Sequence, residues 1–215
     1  MPRLPRNEEE ICEARERIME SALSIICDEG YENLTMRKLG ISLRISAKTI
    51  YNYFKNKEEI YLRILTKGFE ALNALTDESL EGVYDPVEKL RILSGVYIRF
   101  GLENNNYYDL MFNSDVPKYT NYLGTSYESV AKEQKDTAMH FAVISEVILL
   151  EILTGKRSDL EGEALEEAIA YYLVRNWSIL HGYVSLHNSY SFREYRSNTL
   201  MFQKQIIEET VRGLG

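Results

Sequence analysis

Apolar residues recur along this chain at intervals of three and four rather than alternately, so the pattern predicts helices throughout and no strand. The first helix is expected over Glu8–Glu29, with Ile11, Ala14, Ile18, Ala22, Ile25 and Ile26 on one face and Gly30 as its stop. Thr35 is placed to cap a short second helix, in which Met36, Leu39 and Leu43 repeat at helical spacing. Ser46 is placed to cap an even shorter third helix that turns Ile50 and Phe54 inward. Asn56, with Glu59 three positions on, forms a capping-box pattern and opens a long fourth helix toward Glu81.

After Asp85-Pro86 a fifth helix carries Leu90, Leu93, Tyr97 and Phe100 and ends in Asn104-Asn105-Asn106. A short apolar segment, Tyr107–Phe112, follows. Pro117 restarts helical sequence, with a break expected near Lys135-Asp136, as far as Thr154-Gly155. The polar stretch Lys156–Glu163 reads as a loop, and two helices, about Glu163–Leu186 and Phe192–Arg212, close the chain. The expectation is an all-α protein: a small three-helix N-terminal domain, residues 1–56, followed by a larger helical domain, residues 57–215.

Charge divides the chain more sharply than hydropathy does. Its formal net charge is −8, yet Thr35–Lys57 holds Arg37, Lys38, Arg44, Lys48, Lys55 and Lys57 and no acid, which leaves −14 for the remainder. A basic patch on an acidic body can dock on a polyanion while the body faces away. Cys12 and Cys27 fall in one predicted helix and cannot pair with each other, which favours a reducing compartment. The N-terminus MPRLPRNEEE has no apolar leader core, and the densest apolar run, Phe141–Leu153, is broken by Ser145, Glu146 and Glu151. These features point to a cytoplasmic protein without a membrane partner.

Two short helices joined by a tight turn, the second basic and exposed, describe a helix-turn-helix. Leu39, Leu43, Ile45, Ile50 and Phe54 would form the apolar wedge between them, and Gly40 would leave room where they cross. On the outer face of the third helix, Ala47, Lys48, Thr49 and Asn52 are candidates to read base edges in the major groove. Thr35 and Ser46, at helix N-termini, are candidates for phosphate oxygens, as are Arg44, Tyr51, Tyr53, Lys55 and Lys57. A carboxylate within this set would repel phosphate.

The stretch IMESALSIICDEGYENLTMRKLGISLRISAKTIYNYFKNKEEIYLRIL resembles the N-terminal domain of TetR-family transcriptional regulators. The resemblance rests on Gly30-Tyr31, Thr35, Ser46 and the block Ile50-Tyr51-Asn52-Tyr53-Phe54 followed by Lys57-Glu58. One position departs from it: Arg44 stands where such regulators usually place a turn glycine, at a cost of about 1 kcal/mol if the turn needs positive φ. Further along, Trp177-x-x-x-His181-Gly182 is similar to a Trp-His-Gly motif in one C-terminal subclass. The resemblance implies a DNA-binding regulator, with a double-stranded operator, a dimerising C-terminal domain and a small-molecule effector. It implies a repressor more often than an activator.

The residues of the second half are consistent with those roles. Leu165, Ile169, Tyr172, Leu173, Trp177, Leu180 and Val184 make one apolar stripe; Ala170, Val174, Ser178, His181 and Ser185 make a second, of smaller residues, on an adjacent face. A helix with two such faces packs on its own core and on a partner, and with Tyr195, Phe202 and Ile206 it predicts a homodimer through the last two helices. As a set, Tyr97, Phe100, Tyr108, Met111, Phe112, Met139, Tyr172, Trp177 and His181 are candidates for a pocket that takes a small hydrophobic or aromatic effector, although for any single one of them ordinary core packing is the better reading. No metal site, cofactor or enzymatic activity is expected, since His140 and His187 lack ligand-spaced partners and the chain has no phosphate loop, HExxH or nucleophile elbow. Two alternatives stay open: a regulator without an effector, and a helical ligand-binding protein whose helix-turn-helix is degenerate.

Overall fold

The computed structural model describes residues 7–114, 116–157, 159–189 and 199–214. Among them there is no strand, and the helices are α1 (Glu8–Glu29), α2 (Met36–Leu43), α3 (Ala47–Ile50), α4 (Lys57–Leu80), α5 (Pro86–Glu103), α6 (Asn105–Tyr108), α7 (Glu128–Lys156), α8 (Gly162–Asn188) and α9 (Thr199–Val211). Polar caps set many of the boundaries. Asn7, Thr35, Ser46 and Asp85 each accept a hydrogen bond from the backbone N–H three residues on, which satisfies a donor that the helix itself leaves open.

The chain divides into two compact units. One is built from residues up to Phe69 together with Asn106–Thr137, the other from Glu70–Asn105 and from Ala138 onward. In the first unit, Ile18, Ala22, Ile26, Leu39, Ile50 and Phe54 bury the facing sides of α1, α2 and α3. Ile11 is half-exposed because the first turns of α1 extend beyond that core, and Ile45, expected inside the wedge, is 38% exposed. The first half of α4 adds Ile60, Tyr61 and Ile64, and against it lies α6, which continues into a π-helical turn, Asp109–Asn113. Gly68 permits that approach: a Cβ there would stand 2.7 Å from the Met111 sulfur and 2.9 Å from the Tyr107 ring.

The segment 116–133 is tied to the start of α4. The Tyr61 hydroxyl donates to the Pro117 carbonyl at 3.0 Å, Asn56 donates to the Tyr127 hydroxyl, and Arg63 pairs with Glu133 at 3.1 Å. This return of the chain is not visible in local sequence.

In the second unit, Leu90 and Leu93 of α5 pack with Ile148, Leu149, Ile152 and Leu153 of α7, Ile169 of α8 and Leu214. The Ser94 and Thr210 hydroxyls meet inside it at 3.0 Å; one donates to the other, and the acceptor gives its own proton to a carbonyl of its helix, that of Leu90 for Ser94 or Ile207 for Thr210. α7 runs without the break expected near Lys135-Asp136; the pair Lys132–Asp136 and the Thr137 hydroxyl on the Glu133 carbonyl support helix across that point. By length and hydropathy α7 could cross a membrane; here one side faces the core while Met139, Val143, Val147 and Leu150 stand exposed on the other.

Candidate nucleic-acid interface

Gly40 fixes how closely α2 meets the turn and α3. A Cβ at that position would lie 2.8 Å from the Ile45 carbonyl oxygen and 3.1 Å from the Ala47 nitrogen, both backbone atoms with little freedom to move. Arg44 supplies the reversal. Its φ of 56° and ψ of 38° are left-handed, and it is the one non-glycine residue with positive φ among the described residues. Its N–H bonds the Gly40 and Ile41 carbonyls, and the Ile45 N–H returns to the Gly40 carbonyl at 2.9 Å. A side chain in this conformation costs about 1–2 kcal/mol, so the turn keeps its glycine-like form in spite of the arginine.

α3 is a single turn, and Ser46 holds its start by accepting from the Thr49 N–H at 3.1 Å. The chain just beyond it is held by α1: Arg15 donates to the Tyr53 carbonyl at 2.6 Å and lies 4.2 Å from the centre of the Phe54 ring. Asn56 then caps α4 by accepting from the Glu59 N–H at 3.1 Å. The Glu59 carboxylate reaches the Lys55 N–H at 2.7 Å, one residue before the position that a capping box would give it.

This scaffold sorts the predicted contact residues into two groups. Lys48, Tyr51 and Asn52 are exposed, Ala47 and Thr49 are half-buried beside them, and Thr35, Arg44, Ser46 and Lys55 are exposed around them. Tyr53 differs. It is 9% exposed, with its hydroxyl enclosed, so it packs the interior of the head and is not presented at the surface. Lys57 is also partly occupied: its ammonium lies 4.4 Å from the centre of the Tyr31 ring and 3.9 Å from Glu32. Burial pushes the Tyr31 hydroxyl well above its ordinary pKa, with Tyr122 and Glu58 adding to the effect, so that ring stays neutral beneath the lysine.

The cations likewise separate. Lys38 is bound to Glu29 and Lys57 is near Glu32, whereas Arg37, Arg44, Lys48 and Lys55 have no ion pair among the described residues. Arg37 has no role in the sequence pattern beyond its charge, yet it is exposed on the first turn of α2 and belongs with this group. These four cations therefore carry positive charge that no ion pair among the described residues neutralises.

The nine candidate effector contacts divide between the units. Tyr108, Met111 and Phe112 belong to the first, where Phe112 stacks on Tyr108 at 5.0 Å and on Phe69 at 5.8 Å. Tyr97, Phe100, Met139, Tyr172, Trp177 and His181 belong to the second. Tyr97 and Phe100 are buried, and Met139 and Trp177 are about half exposed. The Trp177 indole donates to the Tyr97 hydroxyl at 3.0 Å and the Tyr172 hydroxyl to the Gly213 carbonyl at 2.6 Å. Partial burial lowers the pKa of His181, whose ring lies 5.8 Å from that of Trp177. A groove of about 370 Å³ opens along α5 in the same unit, and none of the nine lines it.

Cys27, though exposed at the residue level, has its pKa pushed up to about 11 by burial and by Asp109 and Asp28, which keeps it a thiol.

Residues 18–64 match the family model described as bacterial regulatory proteins, tetR family, and residues 90–207 match the tetracyclin repressor-like C-terminal domain. The chain is 30% identical over 83 residues to the HTH-type transcriptional repressor KstR of Mycolicibacterium smegmatis, covering 39% of this chain and 41% of that protein. It is 26% identical over 113 residues to the HTH-type transcriptional activator FasR of the same organism, covering 53% and 49%. The chain thus spans about two fifths to half the length of these curated relatives. Among solved structures, the TetR family transcriptional regulator PfmR from Thermus thermophilus superposes with a TM-score of 0.66 at 21% identity, covering 93% of this chain and 99% of that one, a likeness of fold. The second family match alone covers more than half of the sequence: the chain belongs to the TetR family.

Proposed function

We propose that this TetR-family chain is a cytoplasmic transcriptional repressor that acts as a homodimer on double-stranded DNA and is released by a small hydrophobic effector. It works by binding and not by catalysis. The observation that carries the reading is the set of cations Arg37, Arg44, Lys48 and Lys55, none in an ion pair among the described residues, exposed on α2, on the turn that follows it, on α3 and just beyond α3. In this reading Ala47, Lys48, Thr49 and Asn52 read base edges, while Thr35, Arg44, Ser46, Tyr51, Lys55 and Lys57 hold the backbone. The left-handed turn at Arg44 favours a working helix-turn-helix over a degenerate one.

Self-association has its own support. Three of the five small-stripe residues read from sequence, Ala170, Val174 and Ser178, are exposed on α8 beside Tyr171 and Trp177, while His181 and Ser185 are half-buried. Among the described residues nothing lies within 4 Å of a Cβ built on Gly182, which leaves room there for a second helix. Phe202 of α9 is 42% exposed, while Tyr195 falls outside the described residues. Two copies joined through α8 and α9 would present two reading heads to half-sites one helical turn, or a multiple of it, apart.

Selecting bound fragments from the source genome tests the reading. The expected result is enrichment of an inverted repeat, with the adjacent genes indicating what is controlled; uniform recovery of all fragments would refute it. The sign of regulation is tested at the same promoters, because the matched relatives include both a repressor and an activator.

A further inference from the structure

The groove in the second unit has features that packing does not account for. Ile92, Val96 and Leu102 of α5 form its apolar side, and Arg99 and Glu103 stand on the same helix. Its volume of about 370 Å³ lies within the range of small-ligand sites. Gly95, inside α5, also lines it. A glycine within a helix costs about 1 kcal/mol relative to alanine. At Gly40 and Gly68 that cost has an evident cause, since a Cβ would strike backbone or a neighbouring side chain. At Gly95 a Cβ would meet, among the described residues, only the Ile207 methyl, at an ordinary 3.7 Å. What the absent side chain preserves there is open space in the groove.

The charge is equally specific. Two other cations of α5 are paired: Lys89 with Glu151, and Arg91 with Glu88 and Glu208. Arg99 is exposed and has neither an ion pair nor a hydrogen bond among the described residues. Glu103, one turn on, has the spacing to pair with it but does not.

We propose that this groove is the effector site and takes an amphipathic monocarboxylate, its chain along Ile92, Val96 and Leu102 over Gly95 and its carboxylate on the Arg99 guanidinium. Glu103 disfavours a second negative charge at that end, so a dianionic head is rejected. The inference rests on the reading of the chain as an effector-controlled regulator, and it names the site and chemical class that the reading left open.

Octanoate is a suitable probe, titrated by calorimetry into the full-length chain, with octan-1-ol and octyl phosphate for comparison. Octanoate is expected to bind once per chain and to release DNA. Arg99→Gln should weaken octanoate about tenfold or more, as expected for loss of a charge-assisted hydrogen bond, while leaving octan-1-ol binding and the ligand-free melting temperature unchanged. Gly95→Leu should block both ligands, and Glu103→Gln should improve octyl phosphate. Equal octanoate affinity in the wild type and Arg99→Gln would overturn the site. So would the absence of octanoate binding, and octanoate binding without release of DNA would overturn its role as effector. DNA binding without any ligand is measured separately. If that fails, the regulator reading fails, while the calorimetry still decides what the groove takes.

Discussion

Arg37, Arg44, Lys48 and Lys55 in the first unit are exposed with no ion pair among the described residues, whereas α7 and α8 of the second unit expose apolar side chains: Met139, Val143, Val147 and Leu150 on α7, and Tyr171, Val174 and Trp177 on α8. A cationic surface is left unmatched in the one and an apolar surface in the other. A polyanion satisfies the first, and exclusion of water by another apolar face satisfies the second. The difference teaches that the two surfaces answer to different agents, salt for one and protein concentration for the other, and can be disturbed separately.

The largest effect should come from spoiling the apolar face alone. Val174 is 63% exposed, so Val174→Arg should leave the folded protomer within about 0.5 kcal/mol of wild type. The same change is expected to convert a dimer to a monomer in sedimentation and, by removing simultaneous engagement of two half-sites, to weaken operator binding about 10²–10⁴-fold. Unchanged sedimentation would mean that α8 is not the seam.

Next in size is Gly40→Ala, which forces a Cβ against the Ile45 carbonyl and should destabilise the head by about 1–3 kcal/mol in urea unfolding. Gly182→Ala meets nothing within 4 Å among the described residues and should be neutral or slightly stabilising in the protomer, with any penalty confined to the dimer. Within the charged face, Lys48→Ala and Asn52→Ala should each alter base preference by about 1–3 kcal/mol in competition binding, whereas Lys55→Ala weakens all sequences alike.

Arg44→Gly sharpens the comparison in the opposite direction. It relieves left-handed strain and should raise stability by about 1 kcal/mol while lowering DNA affinity, since it also removes a cation. The smallest effect concerns His181, whose folded pKa is held below 6.5 by burial. Stability from keeping it neutral is fully present above that value and is lost as pH falls through it, because the unfolded chain then binds more protons. Melting temperatures of His181→Gln should therefore drop less than wild type between neutral pH and about pH 5.5.

Much of the first unit is legible in sequence because its signals are local. Thr35 and Ser46 cap within three residues, and an acid-free run is found by counting. The same local view misplaces Tyr53 and misses the neighbours of Lys57. The neighbours Tyr51 and Asn52 suggest a surface position for Tyr53, yet α3 ends after one turn and the chain beyond it buries the ring against α1. The position of Lys57 depends on Tyr31 and Glu32, far from it in sequence. The return of residues 106–137 to the first unit is hidden for that reason also: Asn56–Tyr127 and Tyr61–Pro117 join residues 71 and 56 apart. The two stripes on α8 are only partly readable from spacing: Ile169, Leu180 and Val184 face the core and Val174 and Ser178 do not, but Trp177 of the first stripe is 52% exposed and His181 and Ser185 of the second are half-buried. The groove is not readable, since a helix pattern shows which residues share a face but not what lies opposite them.

The most direct test of the central claim is the salt dependence of binding to duplex DNA carrying the selected repeat. The account predicts a straight and steep fall of log affinity against log salt, shallower by about one in slope for each of Arg37→Ala, Arg44→Gly and Lys55→Ala. A slope indifferent to all three substitutions, or no binding in dilute buffer, would contradict it.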